Sequence, residues 1–168
     1  MRQVAVLILM VLPWLTGCAT THTHAVPSQT QLQIREFQTR SFETADAKLV
    51  MKAMLNVLQD EGFIVKDANV DLGFMTGSKE MDIEDKGKAF MSRIFWGKNA
   101  RWEKNSVVEV TANVSEMADR TRVRVIFQVK ILNNVGVVSK IQQVDDETYY
   151  QEFFAKVDKS IFIEKEKL

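Results

Sequence analysis

The chain has 168 residues, with 22 basic and 22 acidic side chains that cancel. That balance gives no global field for a nucleic-acid partner, and the length suits one globular domain. A lone cysteine excludes an internal disulfide, so stability must come from an ordinary core.

The first eighteen residues read as an export leader. Arg2 supplies a short positive start, Val4 to Leu15 form an apolar stretch broken by Pro13, and small residues lead to Cys18. About a dozen apolar residues are too few to span a hydrocarbon core of roughly 30 Å, which favours a cleaved signal over an anchor. The closing residues Leu15-Thr16-Gly17-Cys18 resemble the lipobox of bacterial lipoproteins. That resemblance implies cleavage after residue 17 and acyl chains on Cys18, with no cofactor beyond this covalent lipid. Two or more chains hold a protein stably on its membrane. Ala19 in place of Asp implies, by the sorting rule of Gram-negative lipoproteins, the outer membrane with the domain facing the periplasm.

Residues 18–32 read as a lipidated cysteine and flexible polar tether, with Thr20 to His24 and Val26 to Gln31 lacking apolar periodicity. His22 and His24 are the only histidines; with no cysteine or carboxylate beside them, they lack the four ligands of a zinc site. Residues 33–168 form the expected single domain. Leu32 to Phe42 alternates apolar and polar residues and predicts a first strand. Thr44 and Asp46 offer caps for a helix over 45–61, with Val50, Met54, Val57 and Leu58 on one stripe and Gly62 as its left-handed stop.

Phe63 to Lys66 begins a second strand, and Leu72 to Thr76 a third. Val108 to Val114 and Val123 to Ile131 alternate strictly and predict a long hairpin with one buried and one wet face. Val137 to Val144 suits a further strand. Asp145, Asp146 and Glu147 suit the positive start of a last helix, on which Tyr150, Phe153, Phe154, Val157, Ile161 and Phe162 recur at helical spacing. The order is β-α-β-β, a long hairpin and a C-terminal helix. It predicts an α+β domain: an antiparallel sheet of about five to six strands with two main helices packed on one face.

Residues 80–105 interrupt that pattern. An acidic start (Glu80, Asp82, Glu84, Asp85) gives way to Lys86, Lys88, Arg93, Lys98, Arg101 and Lys104, interleaved with Phe90, Met91, Ile94, Phe95, Trp96 and Trp102. An apolar face flanked by cations suits a membrane surface, or an anchor for a protein partner; the plainer alternative is that the aromatics close one end of the core. We take Phe90, Arg93, Ile94, Phe95, Trp96, Lys98, Arg101 and Trp102 as the expected partner-binding residues.

The folded part has no histidine or cysteine, which removes the common general base, the thiol nucleophile and most transition-metal sites. Asp82, Glu84 and Asp85, or Asp145 and Asp146, are the remaining acid–base candidates. Both clusters have plainer roles, as an exposed loop and a helix start, so the expectation is that the chain is not an enzyme. The helix ending Leu58 to Phe63, the strand at Leu72 to Thr76, and the last helix with Tyr150, Phe153 and Phe154 are similar to the helix-grip domains of BamC-like outer-membrane lipoproteins. That resemblance implies a non-catalytic accessory of an envelope assembly, bound to an envelope protein. The alternative is a carrier of a lipid or small apolar ligand in a helix–sheet cleft lined by Met51, Met54, Phe74, Met75 and Phe127.

Overall fold

A computed structural model describes residues 29–82, 105–133 and 135–166. The elements run α1 (Gln31–Phe37), β1 (Thr39–Phe42), α2 (Ala47–Asp60), β2 (Ile64–Asn69) and β3 (Phe74–Asp82). They continue through β4 (Asn105–Glu116), β5 (Thr121–Leu132), β6 (Val138–Gln143) and α3 (Glu147–Glu166). The fold is α+β, with one antiparallel six-stranded sheet in the order β1-β5-β4-β3-β2 and β6 also paired to β5.

The β4–β5 hairpin is the centre of the sheet and is twelve residue pairs long, from Asn105↔Leu132 to Glu116↔Thr121. Its alternation is the reason for the layering. Val108, Val110, Val123, Val125, Phe127 and Val129 point one way and are essentially inaccessible. The residues between them point to the opposite face, which is open among the described residues. On the inward face lie α2, through Val50, Met51, Ala53, Met54, Val57 and Leu58, and α3, through Tyr150, Phe153, Phe154, Val157 and Ile161. Phe127 is the hub, with ring centroids 5.0–5.9 Å from Tyr149, Tyr150, Phe153 and Phe63.

The helix over 45–61 forms as expected, with the Asp46 carboxylate accepting from the Leu49 N–H at 2.8 Å. Gly62 follows at φ +82°. Lys79, on β3, reaches across to donate to the Glu61 carbonyl oxygen, which places a cation at the negative end of α2.

Four expectations need correction. Residues 31–37 are helical, so only Thr39–Phe42 of the expected first strand is strand. Thr30 and Gln33 form a capping box that starts α1, so residues 31 and 32, expected to be irregular, are helical. The third strand begins at Phe74 and runs to Asp82, so Glu80 and Asp82 belong to a strand and not to an acidic loop. On α3, Phe162 is 65% exposed, while Glu164 is buried in its place, 2.6 Å from Lys52 on α2 and bonded to the Asn56 amide.

β1 and β6 both pair with the same edge of β5, at opposite ends, leaving a break near residues 125–127. Tyr150 fills it. Its hydroxyl accepts from the Phe127 N–H at 3.1 Å and the Gln38 amide at 3.3 Å, and donates to the Val144 carbonyl at 3.2 Å. The Gln38 carbonyl takes the Val125 N–H and the Phe127 carbonyl takes the Val144 N–H, both at 2.9 Å. The Val125 N–H and both backbone groups of Phe127 are thus paired at a site where the Tyr150 and Gln38 side chains are buried. Burial pushes the Tyr150 phenol above its ordinary range, which keeps the proton it donates. Tyr150→Phe strands two or three buried groups at once, and we expect a loss of about 3 kcal/mol in urea unfolding.

Gly73 turns β2 into β3 at φ +60°, and its carbonyl accepts from the Val114 N–H at 2.7 Å. A Cβ there would stand 1.9 Å from the Val114 carbonyl oxygen, which is backbone and cannot step aside. Gly73→Ala should therefore lower stability by at least about 2–3 kcal/mol in the same assay, well beyond the ordinary cost of positive φ for alanine.

Candidate functional site

The side chains expected to carry function divide sharply by position. Cys18, His22 and His24 lie outside the described residues, as do Glu84, Asp85, Phe90, Arg93, Ile94, Phe95, Trp96, Lys98, Arg101 and Trp102. The described structure fixes the borders of that last group. Asp82, the end of β3, is the direct partner of Asn105, the start of β4, and Asn105 is also the partner of Leu132 at the end of β5. Residues 83–104 therefore connect two neighbouring points at one end of the sheet.

That end also carries the β5–β6 turn. Asn133 builds it: its side-chain oxygen accepts from the N–H groups of Val135 and Val137 at 3.1 and 2.8 Å, and its own N–H donates to the Val137 carbonyl at 2.9 Å. Gly136 takes the left-handed conformation the turn requires, at φ +79°. The fixed turn holds Val135 79% exposed and Val137 59% exposed, and the strand that leaves it exposes Val138 and Ile141. Four large aliphatic side chains in seven residues face solvent on a hydrogen-bonded support. Their concentration at one point, beside the ends of β3 and β4, makes this the strongest candidate contact surface among the described residues.

The acid–base candidates resolve otherwise. Asp146 caps α3, its carboxylate accepting from the Tyr149 N–H at 2.8 Å, while Asp145 is exposed beside it. On the open face of the sheet, Glu109 accepts from Lys130 and Gln128, each at 2.7 Å. The Lys130 bond holds its carboxyl below the usual carboxylate range, outweighing the opposing effect of partial burial. A carboxylate so held stays ionised near neutral pH and is poorly suited to deliver a proton. Among the described residues, no three His, Cys, Asp or Glu side chains converge on a metal-sized position.

The residues expected to line a ligand cleft do not share one face among the described residues. Met51, Met54, Met75 and Phe127 are packed in the closed core between helices and sheet, whereas Phe74 points to the open face and is 37% exposed. An open cleft of about 400 Å³ lies instead between α1, β1 and the start of α3. Several of its polar wall residues are already committed: Gln33 to the Thr30 capping box, Gln151 to Glu147 at 2.8 Å, and Arg40 to Asp158 at 3.1 Å. Among the described residues, no helix is long and apolar enough to cross a membrane.

No family model matches the chain, and no curated protein matches it. Among solved structures, it is similar to a DUF4468 family protein from Bacteroides ovatus, with 11% identity, a TM-score of 0.41, and coverage of 73% of this chain and 84% of that one. A TBP-like protein from Parabacteroides distasonis gives 8% identity and the same TM-score, over 73% of this chain and 90% of that one. Both likenesses are remote.

The folded pKa of Glu109 lies below its ordinary value of 4.5, so the unfolded chain takes up the proton first as the pH falls. The stabilisation is complete above that ordinary value and is lost as the pH drops through the folded one. Urea midpoints measured from pH 7 down to pH 3 should show Glu109→Gln with a flatter acid limb than the wild type. Equal slopes would mean that the Lys130 pairing contributes nothing.

Proposed function

We propose that the chain is a lipoprotein held by acyl chains on Cys18 in the outer membrane. Its domain would face the periplasm and act without catalysis, as a protein-binding accessory of an envelope assembly. The leader ending in Leu15-Thr16-Gly17-Cys18 supports the address. The observation that carries the binding role is the rigid apolar turn of Val135, Val137, Val138 and Ile141. It stands beside the two strand ends that bracket the aromatic and basic segment from Phe90 to Trp102. A fixed support lowers the ordering cost of association, and aromatic and arginine side chains supply most of the energy at protein contacts. The anchor adds to this by confining the domain near its partner, which raises effective concentration without any new contact.

The test is co-purification of crosslinked envelope proteins with wild type, Val137→Glu/Ile141→Glu and Trp96→Ala/Trp102→Ala. Both double variants should lose the crosslinked partner while their melting temperatures stay within a few degrees of wild type. Full retention of the partner by both would overturn the contact surface. Cys18→Ala should move the protein from the membrane fraction to the soluble one.

A further inference from the structure

The open face of the sheet carries two groups of charges that are treated in opposite ways. Around β4 and β5, Lys130 is neutralised by Glu109 at 2.7 Å. Further along the same face of β5, Arg122 and Arg124 stand two residues apart, roughly 7 Å along the strand, and neither has a hydrogen bond or ion pair among the described residues. Arg124 is half-buried, and its Nε is fully shielded from solvent without an acceptor. A buried guanidinium N–H without a partner is uncommon and costly.

The register shows what surrounds the two cations. Arg124 lies between Thr39 on β1 and Asn113 on β4, and Arg122 between Ser41 and Ser115. All four neighbours are neutral hydroxyls or amides. Of the acidic groups on the flanking segments, Asp119 forms a forked pair with Arg120, Glu116 sits on the inward register of β4, and Glu43, just past the end of β1, acts on the charge of Arg120. Two forked donors side by side, with the Ser41 hydroxyl and the Asn113 amide N–H groups beside them, match the several oxygens of a tetrahedral anion; the Thr39 and Ser115 hydroxyls already donate, to the Arg35 carbonyl and the Asn113 side-chain oxygen.

We propose that Arg122 and Arg124, with the Ser41 hydroxyl and the Asn113 amide, form a binding site for a phosphate-class oxyanion on the open face of the sheet. The two natural sources of that group are a phospholipid headgroup and a free phosphate. The site borders the end of α1, since the Thr39 hydroxyl donates to the Arg35 carbonyl at 2.8 Å. That helix is the first described element after Cys18, and the dozen residues between them can reach at most about 40 Å. A leaflet anchored through Cys18 would thus lie close to the site. The lipid source rests on that anchor, whereas the site itself does not.

The experiment follows the Arg Nε–H signals by NMR in the full chain, titrated separately with inorganic phosphate and with dihexanoyl phosphatidylglycerol below its micelle concentration. Phosphate should shift the Arg122 and Arg124 signals selectively. Arg122→Gln, at the more exposed position, should weaken binding roughly tenfold, and Arg122→Gln/Arg124→Gln should abolish it without lowering the melting temperature. Binding of the lipid at least tenfold tighter than phosphate would assign the site to a headgroup; equal affinities would assign it to the free anion. Absence of selective shifts with both probes, or unchanged binding in Arg122→Gln, would overturn the proposal whatever becomes of the anchor.

Discussion

The sheet is continuous only because a tyrosine hydroxyl stands in for a missing stretch of strand. β5 needs partners along its whole outer edge, and the two strands that supply them stop short of the middle, where Gln38 and Val144 take the Val125 N–H and the Phe127 carbonyl and the Phe127 N–H is left to Tyr150. Tyr150 closes the break with two accepted bonds and one donated, which is the full hydrogen-bonding capacity of a phenol. The same ring packs against Phe37 and Phe127, at 5.3 and 5.6 Å. One side chain therefore ties α3, β5, the end of α1 and the approach to α3 into a single unit. In so dry a setting, each of those bonds is stronger than in water and each vacancy more costly.

The rest of the architecture follows from the hairpin that this tyrosine completes. Strict alternation on β4 and β5 gives one apolar face, and two amphipathic helices of opposite ends of the sequence cover it. Polar groups inside this layer are placed at its margins. Lys79 serves the end of α2, and the buried Glu164 joins α3 to Lys52 and Asn56 of α2. A lone buried carboxylate would be severely destabilising, so its partners fix the relative register of the two helices.

Much of this was legible in the residues. Val108 to Val114 and Val123 to Ile131 announce their face because the strands are wet on one side, and α2 carries both its cap and its stop. α1 was misread because seven residues span barely two turns, and Leu32 and Ile34 fall two apart, as they would on a strand. The Thr30-x-x-Gln33 box was the available signal. The exposed Phe162 and buried Glu164 were hidden because helical periodicity cannot tell which of two adjacent stripes meets a neighbour. Tyr150 showed only as an apolar position: its hydrogen-bond partners lie 23 and 112 residues away in the chain. The valines of the β5–β6 turn were likewise invisible as a surface, since exposure of an aliphatic residue depends on a turn built by Asn133. The paired arginines acquire meaning only from the strand register, which sets neutral neighbours on both sides.

The uncovered side of the sheet has a further consequence. Beyond the Glu109–Lys130 pair, its outward residues are held by backbone ladders and by the layer beneath, so their identities contribute little to whether the chain folds. Such a face can be redecorated by substitution while the architecture stays intact, and its chemistry is thereby free to diverge between lineages faster than the helical side. A scaffold of this kind separates the residues that make a shape from those that give the shape something to recognise.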